Sequence, residues 1–111
     1  MREQHYGRIV NTISRNAEYD AIGTSAYAAA KAAMWAASRV AAAELKDTNI
    51  LINMLIPGPT RTAIWGKDMA HFQDPSATYP TAKMLASLQK DGPSGKVFWN
   101  ETEYPLFREG N

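Results

Sequence analysis

Ile50-Leu51-Ile52-Asn53-Met54-Leu55-Ile56 holds one polar residue in seven and stops abruptly at Pro57-Gly58-Pro59. So short and continuous an apolar run reads as a strand buried on both faces, the kind found in parallel sheets covered by helices on either side. Upstream, residues 25–46 are rich in alanine and free of proline and glycine, which predicts a helix. Thr24 and Ser25 are its N-cap candidates. Before that helix, Gly7-Arg8-Ile9-Val10-Asn11-Thr12-Ile13 is rich in β-branched residues and reads as another strand. Beyond the central run, residues 60–78 read as a long loop with a short helical turn. Met84, Leu85 and Leu88 have helical spacing, and Asp91-Gly92-Pro93-Ser94-Gly95 breaks that pattern before Lys96-Val97-Phe98-Trp99. The expected architecture is α/β, with parallel strands near 7–13, 50–56 and 96–99 and helices near 25–46 and 80–90. Tyr104-Pro105-Leu106-Phe107 would pack back on this body.

Composition narrows the function classes. The chain has 111 residues, 45% apolar and 21% charged, as in an ordinary globular domain. A net charge of +1 with no basic block or stripe argues against nucleic-acid and polybasic membrane partners. Isolated His5 and His71 suggest no metal site. With no cysteine there is neither a disulfide framework nor a thiol nucleophile, which fits a reducing compartment. No apolar run is long enough to span a bilayer, and residues 1–6 lack the apolar core of a signal peptide. A soluble cytoplasmic protein is therefore expected.

The chemistry concentrates in Tyr27-Ala28-Ala29-Ala30-Lys31. Residues four apart share a helix face, so the ammonium lies beside the phenol and favours its phenolate form. A position in the first turn of the helix adds the partial positive charge of the unpaired backbone N–H groups. Such a pair also occurs by chance on solvated helices, and alone it would carry little. Ser14 follows directly on the first strand, at the carboxyl edge where open α/β sheets bind ligands. Pro57-Gly58 ends the second strand at that same edge, and glycine there lets a ligand approach the main chain closely. Thr60 and Thr62 offer N–H and hydroxyl groups beyond it. Asn11 is better explained by local backbone hydrogen bonds than by chemistry, and Arg61 by exposure to solvent.

Taken together and in order, residues 7–14 (GRIVNTIS), 27–31 (YAAAK) and 50–62 (ILINMLIPGPTRT) resemble three consecutive segments of the short-chain dehydrogenase/reductase family. The resemblance covers nearly the whole chain. It implies a partial Rossmann-like, doubly wound parallel sheet reduced to its last three strands. It also implies hydride transfer between NAD or NADP and a small-molecule alcohol or ketone. Carried over residue by residue, Ser14 would polarise the substrate carbonyl and Tyr27 would be the proton donor and acceptor. Lys31 would bind the nicotinamide ribose and favour the phenolate, and Pro57, Gly58, Thr60 and Thr62 would contact the carboxamide. Residues 63–78, with Ile64, Trp65, Met69 and Phe72, would be the variable substrate loop.

The family's glycine-rich strand-to-helix turn, which cradles the pyrophosphate, has no counterpart in these residues, and neither has the acidic residue that holds the adenosine ribose. The family's catalytic asparagine precedes the Gly7 strand, where only Met1 to Gln4 remain. The last strand runs Trp99-Asn100-Glu101-Thr102-Glu103 instead of the usual acidic-Gly-Gly ending. Residues 1–111 therefore correspond to the C-terminal, catalytic half of such a domain, a fragment expected to be inactive alone. Met34, Trp35 and Val40 on the 25–46 helix would then be free to pack against a second copy, making a homo-oligomer. The competing expectation is a catalytically silent module that dimerises through that helix.

Overall fold

The computed structural model describes residues 5–15, 18, 22–57 and 75–106. In chain order these form β1 (Gly7–Thr12), α1 (Ser25–Glu44), β2 (Ile50–Leu55), a 3-10 turn (Pro75–Thr78), α2 (Tyr79–Ala86), β3 (Val97–Trp99) and β4 (Thr102–Glu103). One sheet holds the strands in the order β1-β2-β3-β4. β1 and β2 run parallel, in register from Gly7 opposite Ile50 to Thr12 opposite Leu55. β3 continues in parallel, with Met54 opposite Val97 and Leu55 opposite Phe98. This is the expected α/β architecture with a mostly parallel sheet.

Every residue of β2 is buried, as its apolar run demands. Successive strand residues point to opposite faces, and β2 feeds two separate cores. On one face Met54 and Ile56 pack with Ile13, Val97 and Leu106, covered by Trp35 of α1. On the other, Leu55 packs with Phe98 and with Leu85 of α2. The helices therefore lie on opposite faces of the sheet, the doubly wound arrangement.

Among the described residues, buried polar side-chain groups are paired. Asn53, the one polar residue of β2, donates its amide to the Pro93 carbonyl at 2.9 Å and accepts from the Lys96 N–H at 3.2 Å. Ser38, buried in the middle of α1, accepts a hydrogen bond from the Asn11 side chain at 2.8 Å and ties α1 to β1. The Arg8 side chain donates to the Leu88 carbonyl and to both the carbonyl and the side chain of Asn49, sealing the end of the sheet away from the site.

Three features differ from expectation. A fourth strand pairs antiparallel with β3, Phe98 opposite Glu103 and Trp99 opposite Thr102. Its two-residue turn places both Asn100 (φ 52°) and Glu101 (φ 65°) in the left-handed region, as the tight hairpin turns that match strand twist require. α2 ends at Ala86, short of the expected Lys90, where the Ser87 hydroxyl donates to the Lys83 carbonyl at 2.7 Å. Trp35 is packed on the core and stacked under Arg39, so it is not on the free face with Met34 and Val40. Leu106 is buried, as the tail reading expected. Phe107 lies outside the described residues, as do Gly58, Thr60, Arg61, Thr62, Ile64, Trp65, Met69 and Phe72.

Candidate active site

Parallel strands deliver their carboxyl ends to one edge. Pairing continues one residue past the regular strands, with Ile13 N–H donating to the Leu55 carbonyl at 2.9 Å and Ile56 N–H to the Phe98 carbonyl at 2.9 Å. Ser14 and Pro57 follow immediately, so both leave the sheet at this edge, half-buried. In open α/β sheets, ligands bind in the crevice outside this edge.

α1 brings two further side chains there. Lys31 donates from Nζ to the Thr12 carbonyl, the last residue of β1, at 3.2 Å. One turn earlier, the Tyr27 ring lies with its centroid 5.7 Å from the Lys31 ammonium. The expected i, i+4 neighbourhood of ammonium and phenol is therefore present, and the ammonium is additionally fixed to the end of β1. Tyr27 is 49% exposed. Thr24 stands at the N-cap of α1 without a side-chain capping bond to the helix. Ser14, Tyr27, Lys31 and Pro57 thus come from three elements to one end of the molecule.

Sequence reasoning overlooked a second group at the same edge. The Arg15 guanidinium lies 4.7 Å from the centroid of the Trp99 ring and 5.5 Å from that of Tyr104. Its Nε donates to the Tyr104 hydroxyl at 3.1 Å, and that hydroxyl donates to the Glu18 carboxylate. Trp99 and Tyr104 meet edge to face, 5.8 Å between centroids and 65° between planes. Burial and the hydrogen bond to Glu18 raise the Tyr104 phenol above its ordinary pKa, against the opposing pull of Arg15. Aromatic residues flanking a turn on the last strand were the available signal, but nothing in the chain links them to residue 15.

Among the described residues no three His, Cys, Asp or Glu side chains gather as a metal site, and no helix is long and apolar enough to cross a membrane. A dinucleotide can be tested against the donors at the carboxyl edge. The Lys31 ammonium has three N–H donors and among the described residues gives one to Thr12, so two could serve vicinal sugar hydroxyls beside the half-exposed Tyr27. That donor set fits the nicotinamide ribose end of NAD or NADP.

Comparison with known proteins bears on the family and the fold. The family model for short chain dehydrogenase matches residues 1–72. The chain is 33% identical over 98 residues to the peroxisomal hydratase-dehydrogenase-epimerase of Saccharomyces cerevisiae, a match covering 85% of this chain and 11% of that protein. Among solved structures, acetoin dehydrogenase from Enterobacter cloacae superposes with a TM-score of 0.73 at 28% identity, over 87% of this chain and 42% of that one. A short chain dehydrogenase from Escherichia coli CFT073, complexed with NADPH, superposes with a TM-score of 0.75 at 25% identity, over 87% of this chain and 42% of that one. The chain thus spans about a tenth of the yeast relative and less than half of either structure. With its family match extending over most of its length, its doubly wound sheet and its Tyr27–Lys31 pair, this chain belongs to the short chain dehydrogenase family.

Proposed function

We propose that residues 1–111 form the catalytic half of a nicotinamide-dependent oxidoreductase acting on an alcohol or ketone. The observation that carries this reading is the Lys31 ammonium, held on the Thr12 carbonyl at the carboxyl edge one helical turn from Tyr27. When bound, NAD or NADP supplies or accepts the hydride. The protein's part is to hold the reactants and move a proton. Ser14 donates a hydrogen bond to the substrate oxygen and fixes the carbonyl. Tyr27 gives its proton to that oxygen in reduction and takes it back in oxidation, while the Lys31 charge stabilises the phenolate left behind. Lys31 also holds the ribose hydroxyls. Pro57, with Gly58, Thr60 and Thr62 beyond it, holds the carboxamide.

The pyrophosphate cradle is not among these 111 residues. Its charge-assisted hydrogen bonds are worth roughly 1.5–3 kcal/mol each, and every ~1.4 kcal/mol is tenfold in affinity. These residues alone should therefore show no saturable cofactor binding at micromolar concentration, and no turnover. Calorimetry with NAD and with NADP checks the first expectation, and tight binding would refute it. Joining the chain to the cofactor-binding half of a relative should give dehydrogenase activity that Tyr27→Phe lowers by about a hundredfold or more. Full activity of the Tyr27→Phe protein would overturn the assignment.

The second reading, a dimerising module without catalysis, draws on α1, where Met34 is 39% and Val40 49% exposed. The joined protein distinguishes the two, because a silent module gains no activity from a cofactor-binding half. We propose a cytoplasmic setting, with which a cysteine-free sequence is compatible.

A further inference from the structure

We propose that Arg15 is a positioning residue for Ser14, holding the loop that leaves β1 against the β3–β4 hairpin. The inference rests on the reading of Ser14 as the hydroxyl that polarises the substrate. The loop between β1 and α1 gains no apolar anchor from Ile22, which is 98% exposed. Arg15 supplies a different kind of anchor. Its planar cation lies against two rings, Trp99 and Tyr104, and its Nε reaches the Tyr104 hydroxyl at 3.1 Å. That hydroxyl in turn holds Glu18, whose N–H donates back to the Arg15 carbonyl at 3.0 Å. Arg15 and Glu18 are thereby closed on each other and fastened to the hairpin.

The other side of the fastening is rigid. Trp99 ends β3, whose Phe98 is registered opposite Leu55 in the core. Tyr104 donates its N–H to the Val97 carbonyl at 2.7 Å, and Leu106 beyond it is buried. Ser14 is therefore fixed from both sides. Ile13, 1% exposed, pins the preceding residue in the core, and Arg15 pins the following one on the hairpin. A catalytic hydroxyl must be held to within a fraction of an ångström, and such double anchoring does this. Lysine could not replace the arginine, because the stacked plane and the forked donors belong to the guanidinium.

The test uses nuclear magnetic resonance on the chain itself, comparing wild type with Arg15→Ala, Arg15→Lys and Tyr104→Phe. Arg15→Ala should speed exchange of the Glu18 amide by about tenfold or more, the scale of losing a charged hydrogen bond and two ring contacts. The Ser14 Hα–Hβ couplings should collapse from those of one rotamer to an average. The Met54 amide, which donates to the Lys96 carbonyl inside the sheet, should stay within about twofold of wild type. Arg15→Lys should fall between, and Tyr104→Phe should loosen Glu18 less than Arg15→Ala does. Unchanged Ser14 couplings, or equal acceleration at Glu18 and Met54, would overturn the proposal. In the joined protein, Arg15→Ala should lower kcat with little change in cofactor KM, and should cost nothing further once Ser14→Ala is present. A full loss persisting on the Ser14→Ala background would also overturn it. If Ser14→Ala leaves turnover intact while the exchange result holds, the catalytic reading of Ser14 has failed and the anchoring has not.

Discussion

Among the described residues, the Lys31 ammonium meets the Thr12 carbonyl and the Tyr27 ring. Fixing the charge to the strand end leaves the phenol free to exchange its proton without losing its electrostatic support. The two side chains should therefore fail differently in the joined protein. Tyr27→Phe should lower kcat by about 10²–10⁴ with cofactor KM nearly unchanged, the range expected for a lost general acid. Lys31→Met should lower kcat and raise cofactor KM together. Steady-state kinetics with the cofactor varied separates these outcomes. Tyr104 makes a prediction of another kind. Its native pKa lies above its unfolded value, chiefly through burial and then through its bond to Glu18. The folded chain thus holds that proton more tightly than the unfolded one. The associated stability is whole below pH ~10 and is lost as pH rises beyond it toward the native pKa. Urea denaturation from pH 8 to 11 should show a steeper alkaline fall for wild type than for Tyr104→Phe.

At the scale of elements, the β3–β4 turn carries local strain. Glu101 has φ 65°, where a Cβ is disfavoured and glycine is not. Its N–H donates to the buried Thr81 hydroxyl at 2.9 Å, and that bond survives substitution of the side chain. Glu101→Gly should stabilise the fold by about 0.5–1 kcal/mol in a denaturant titration, the relief of strain exceeding the entropy glycine adds to the unfolded chain. The same turn explains what the sequence concealed. β1, α1 and β2 were legible because β-branched runs, an uninterrupted alanine-rich stretch and a proline–glycine stop each point to one local structure. β4 was not, since Asn-Glu lacks the glycine that advertises a two-residue hairpin and the strand itself is two residues long. α2 read too long because Leu88 kept the helical spacing after the Ser87 hydroxyl had turned back on Lys83. Within the candidate site, the Tyr27–Lys31 pair was visible because it is local. The Arg15–Tyr104 contact spans 89 residues, and no periodicity announces a contact of that range.

For the whole molecule, α1 leaves Met34 and Val40 exposed, with the exposed Ala33 and Ala37 between them. A helical face of that composition favours close contact with a like surface. Sedimentation velocity across a wide concentration range should reveal a dimer, and Met34→Lys with Val40→Glu should shift it toward monomer. A single unshifting monomer peak for wild type would contradict this expectation. The parallel ladder, meanwhile, governs how the molecule assembles in time. Gly7 and Ile50 are register partners 43 positions apart, so the chain must close that loop before the first β1–β2 bond repays it. α1, whose contacts are local, forms within roughly a microsecond and shortens the gap. The Asn11–Ser38 hydrogen bond can then seat β1 on the helix before β2 arrives. Ser38→Ala, which strands the Asn11 amide at a cost of about 1–2 kcal/mol, should accordingly slow refolding in stopped-flow experiments. Glu101→Gly should mainly slow unfolding if the hairpin closes after the barrier. Slower refolding of Ser38→Ala would make a single hydroxyl in the middle of an alanine helix the pace-setter for this sheet.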